Sequence, residues 1–138
     1  MKNVTGAIVA YLKADMAITA LVSTRVYRGK LPPSVTLPAI CVTKPTIPAR
    51  PIKSHNGLKT TTTRVQCTSY TSTDEAADNL SELIADTLLK VRERHLTLGV
   101  YVIRVDDGGG TTDRLTELEN TDDEIWLYHH DLIVEHNV

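Results

Sequence analysis

The sequence predicts an α+β fold: a mixed, largely antiparallel sheet with two main helices packed on one face. Three observations lead there. Val4, Ala7, Ile8, Tyr11 and Leu12 recur at helical spacing near the start of the chain. Ala76, Ala77, Leu80, Leu83, Ile84, Thr87, Leu88 and Val91 form a longer stripe of the same period. Between and after these stripes lie Val- and Thr-rich runs of alternating polarity, which suit half-buried strands. With 138 residues, 41% of them hydrophobic, the chain reads as one domain over 1–138 around one core. It has no Phe and one Trp, so that core must be aliphatic.

Each element has a local reason. After the first helix, Asp15 is placed to cap a short second one, with Ile18, Leu21 and Val22 as its buried side. Arg25–Arg28 reads as a short strand closed by Gly29, and Leu31-Pro32-Pro33 as a connector. Pro38 precedes an apolar strand, Ala39–Val42. All six prolines fall between Pro32 and Pro51, and Pro45, Pro48 and Pro51 lack the ladder donor a central strand needs. Residues 44–59 are therefore expected to be an extended arm or long loop, with Asn56-Gly57 as a turn. Thr60–Tyr70 is a strand with Val65, Cys67 and Ser69 on one face. Ser72 and Glu75 have capping-box spacing before the long helix, whose start is acidic and whose end carries Lys90, Arg92 and Arg94. Val100–Val105 is a strand ended by acids and glycines, so about 106–123 is expected to be an acidic Gly-rich loop. A last strand runs from Glu124 to about His136, with Trp126, Tyr128, His130, Leu132 and Val134 on one face.

Charge is segregated along the chain. Residues 1–70 hold ten Lys and Arg against the single acid Asp15, a net of +9. Residues 71–138 hold five against sixteen acids, a net of −11. Such asymmetry reports an interaction surface. It pairs either within one chain or between neighbouring copies, and sequence order alone leaves both open. The densest basic block comprises Lys44, Arg50, Lys53, Lys59 and Arg64. The densest acidic block comprises Asp106, Asp107, Asp113, Glu117, Glu119, Asp122, Asp123 and Glu124, against Arg114 alone.

Several function classes lose support. The apolar run Gly6–Leu12 is cut by Lys13 and Asp15, far short of the roughly 20 residues of a membrane span, and makes a poor signal peptide. Cys41 and Cys67 sit at apolar strand positions as free buried thiols, which fits a reducing, intracellular compartment. His129, Asp131 and Glu135 share one strand face while His130 and His136 lie on the other, so no metal set forms and no metal or cofactor is expected. Gly108-Gly109-Gly110 follows two acids and would repel a phosphate. There is no G-x-S-x-G elbow, and no catalytic residue is assigned. The basic block could serve phosphate contacts, but it lacks interleaved aromatics for base stacking.

The order and spacing of several strings resemble the tail terminator, or tail completion, proteins of long-tailed (lambda-like) phages. These are Leu21–Tyr27, Pro32-Pro33 and Leu37–Val42, then Arg64–Tyr70 leading into the helix with Glu75-Ala76-Ala77, and finally Asp131–Glu135. The resemblance implies a structural subunit that assembles, typically as a hexameric ring, on the head-proximal end of the tail tube. It further implies contacts with tube protein and head–tail connector, and passage of DNA through the channel without sequence readout. On this reading the basic block is an assembly arm, and the acidic block is its partner on a neighbouring copy or the channel lining. A head–tail connector or minor tail protein, and a small nucleic-acid-binding protein, are the alternatives.

Overall fold

The computed structural model describes residues 2–45, 52–115 and 125–138, with backbone alone at 113–115. Helix α1 (Val4–Ala14) is capped by Asn3, whose side chain accepts from the Gly6 amide at 2.9 Å. Asp15 ends α1 and caps α2 (Met16–Val22), accepting from the Ile18 amide at 3.0 Å, and the axes turn by 86° there. Ile18 and Val22 are fully buried, but Leu21 is 48% exposed rather than buried. On so short a helix only the i, i+4 ridge meets the core, and Leu21 lies roughly 80° around the axis from it.

Strands β1 (Val26–Arg28) and β2 (Ala39–Thr43) pair in parallel, and every other pairing in the sheet is antiparallel. β3 (Lys53–His55) and β4 (Leu58–Thr71) form a hairpin around Asn56-Gly57. Both turn residues have positive φ, 51° and 80°, which matches the twist of a two-residue hairpin. The end of the expected arm is thus a strand, while 46–51 lies outside the described residues.

Helix α3 (Asp74–Leu89) begins one residue later than the capping-box spacing suggests. Thr71 donates to the Thr73 carbonyl at 2.7 Å, Thr73 stays extended, and its hydroxyl oxygen takes the Ala76 amide at 3.1 Å. The helix also stops at Leu89, so Arg92 and Arg94 lie beyond it and no basic residue occupies its last turn. Val91 is still buried, but from the turn that follows, where its amide reaches the Leu88 carbonyl. Arg94 opens the two-residue β5 (Arg94–His95) and rests over the Tyr11 ring of α1 at 5.2 Å.

The larger correction concerns the acids and glycines after Val105. β6 runs from Tyr101 to Leu115 and carries Asp106, Asp107, Gly108, Gly109 and Gly110 within a strand, not a loop. A register shift between Asp107 and Gly110 absorbs the extra residues as a bulge against β7 (Ile125–Asn137). The Tyr128 ring lies directly over Gly110, where a Cβ would collide with it. That ring supplies the packing surface the glycine lacks. Glu124 and 116–123 fall outside the described residues.

The sheet order is β1-β2-β4-β7-β6-β5, with β3 beside the start of β4. β5 covers only the first two residues of β6, so beyond Val102 its strand partner among the described residues is β7 alone. One aliphatic core joins Ile8, Leu12, Ile18 and Val22 with Leu80, Ile84 and Leu88, over Val42, Val65, Leu132 and Val134 of the sheet. Among the described residues no single helix is long and apolar enough to cross a membrane.

Candidate functional site

The register of β4 and β7 places the two charged blocks. Lys59 sits beside Val138, and Thr60 pairs with Asn137. At the other end Thr71 pairs with Trp126, about 40 Å away at the usual rise per residue. Lys53 and Lys59 therefore occupy one end of the sheet. Asp113 belongs to the opposite end, where β6 and β7 leave and re-enter it. Arg50, Glu117, Glu119, Asp122 and Asp123 lie outside the described residues, as does the side chain of Asp113.

Some of the nominated charges are already engaged within the chain. Arg64 pairs with Asp131 at 2.8 Å, and Gln66 donates to the other carboxylate oxygen at 3.1 Å. This is where the basic and acidic halves meet. Asp106 pairs with Arg104 at 3.2 Å, and Arg104 also reaches Glu135 at 3.4 Å. Asp107 accepts from the Gly109 amide and faces His130 Nε2, each at 2.8 Å. The amide first and the imidazole second hold the Asp107 carboxyl below its usual range. Lys44, Lys53 and Lys59 make no ion pair among the described residues.

The histidines hold the sheet together. His136 is fully buried with Nε2 2.7 Å from the Thr63 hydroxyl, and His129 lies 3.0 Å from the Thr68 hydroxyl. His130 joins Asp107 to Ser81, whose hydroxyl is 3.2 Å from Nδ1. Carboxylate, imidazole and hydroxyl thus line up in the order a hydrolase uses. Ser81, however, is 2% exposed in the middle of α3, where the surrounding amides serve the helix ladder and cannot hold an oxyanion. The chain instead pins α3 to the β6 bulge. Sequence reading missed it, although Ser81 sits between Ala77 and Ala85 on the apolar stripe and His130 shares a face with Leu132. A polar group on each buried stripe was the available signal.

Neither thiol is poised for chemistry. Both cysteines are buried and unbridged. Burial pushes Cys67 up to about 12 and also raises Cys41, so both are protonated at neutral pH. What the described surface offers to other molecules is charge, with Lys44, Lys53 and Lys59 in no ion pair among the described residues.

Comparison with known proteins bears on what those molecules are. A family model described as Tail completion protein gp17 matches residues 6–115. No curated protein sequence matches the chain. Among solved structures, the fold is similar to a chain in the virion of a native gene transfer agent (GTA) particle, with a TM-score of 0.70. That likeness spans 98% of this chain and 95% of the other at 14% identity, and concerns the fold.

Proposed function

The chain belongs to the tail completion protein gp17 family, and on that premise we propose that it closes the head-proximal end of the phage tail tube as a ring. Membership makes it a structural protein of tail assembly, placed in the virion tail. The finer reading is that copies assemble head to tail into a closed ring, typically of six. The ring ends tube growth and presents a surface to the head connector, while DNA crosses the channel without base recognition. No bond-making step is assigned to it.

One observation supports this reading: Lys53 and Lys59 stand at one end of the sheet and the Asp113 backbone at the other, about 40 Å away along β4 and β7. A subunit polarised in this way meets its neighbour through two different surfaces, and such heterologous contacts close into rings when the rotation permits. Complementary charge fixes register and disfavours face-to-face pairing. The presence of a similar fold in a GTA virion supports the same setting.

The test is complementation of tails assembled without the protein. Purified protein should arrest tube growth at a uniform length and make those tails competent to join filled heads. If it acts on heads and leaves such tails unchanged, the connector reading replaces this one. Tight, salt-dependent DNA binding without any effect on tails would favour a nucleic-acid-binding role.

A further inference from the structure

Beside the first turn of α1, where β1, β2 and β4 come together beneath it, lies a compact recess of about 390 Å³. Among the described residues its charged lining comes from Lys2, Arg28 and Lys44, with no acid. Arg28 Nε donates to the Thr5 hydroxyl at 3.1 Å, which aims the guanidinium across the recess. None of the three cations is in an ion pair among the described residues. The Gly6 amide at the helix start is already taken by Asn3, so the positive character comes from the side chains. The Lys2 ammonium lies beside Gly99, so Arg28 and Lys44 carry the charge at the recess, and an anion placed between them relieves their repulsion.

We infer that this recess receives carboxylates from the acidic β6–β7 end of a second copy of the chain, an inference that rests on the ring reading above. Residues 116–124 contain Glu117, Glu119, Asp122, Asp123 and Glu124 and no Lys or Arg, so the chain itself carries the complementary anion. Within one copy, β6 and β7 depart from the sheet level with Thr71, eight residues along β4 from Thr63 of the recess. That is about 26 Å at the usual rise, with β2 and β1 further to the side. The recess and the point where β6 ends and β7 begins thus lie on different parts of the subunit, as a ring contact requires. A polynucleotide is the poorer occupant. Among the described residues no aromatic side chain lines the recess for a base to stack on.

A charge-swap pair tests the inference in the tail-capping assay. One variant reverses the recess (K2E, R28E and K44E); the other reverses the acidic segment between β6 and β7 (E117K, E119K, D122K, D123K and E124K). Each alone brings like charges together, so capping should fall by at least about tenfold. An equal mixture restores both pairings in an alternating ring, and capping should return. Thermal melts of both proteins establish that they fold, and the neutral set K2Q, R28Q and K44Q should show an intermediate loss. Capping by both variants alone, or no rescue in the mixture, overturns the inference while wild-type capping leaves the ring reading intact. Failure of the wild type to cap overturns both. Loss of duplex DNA binding in the recess variant with capping unchanged would make the recess a phosphate site instead.

Discussion

The two helical sides of this molecule are built alike and finished differently. On the α3 side, the polar groups facing the helix are tied within the chain: Asp107 to His130, and His130 to Ser81. On the α1 side, Lys2, Arg28 and Lys44 line one recess with no counter-ion among the described residues. Both sides bury the same kind of aliphatic surface, with Ile8 at 2% exposure and Ile84 at 0%. On the proposed reading, the difference separates side chains that make the subunit from side chains that meet a neighbour.

The largest expected effect tests the likeness. Ile8→Ala and Ile84→Ala should each destabilise the isolated protein by about 2–5 kcal/mol in denaturant melts, since each leaves a cavity in one shared core. A loss confined to one of them would mean the two sides do not share a core. Next comes the contrast itself. His130→Ala leaves Ser81 and Asp107 without their partner and should lower stability by about 1–3 kcal/mol. Neutralising the recess with K2Q, R28Q and K44Q should move stability by no more than about 0.5 kcal/mol. Equal losses would erase the distinction.

A pH series sharpens it further. The folded state holds Asp107 below its ordinary carboxylate value, so its contribution is complete above the ordinary range. That contribution disappears as pH falls through the lowered value. Asp107→Asn should therefore flatten the acid limb of a stability–pH curve and leave its shape above pH ~6 unchanged. The smallest effect belongs to Arg64 and Asp131, which are partly exposed at 44% and 24%. A double-mutant cycle should give about 0.2–1 kcal/mol of coupling, declining as salt is added.

Much of this construction could be read before folding. The α3 stripe, the alternation of β7 and the Asn56-Gly57 turn all follow from residue spacing, because helix and strand periods are local properties. β6 could not be read past Val105. Acids and three glycines look like a loop, and only the Tyr128 ring from the neighbouring strand makes Gly110 a packed position. The choice of Thr73 over Ser72 as cap was equally hidden, because it depends on a hydrogen bond from Thr71. The polarity of the charged halves was legible, but the recess was not. Lys2, Arg28 and Lys44 come together only through the α1 start and the parallel pairing of β1 with β2.

The outer rim of β6 carries one more implication. Past Ile103, whose carbonyl takes the Glu93 amide, no described strand covers this rim, the kind of edge onto which another chain readily adds. The kink at Asp107–Gly110 breaks that edge, and the neighbouring carboxylates discourage stacking of like on like. A protein whose proposed task is to stop a polymer from growing thus has, along its most vulnerable border, a safeguard against becoming one.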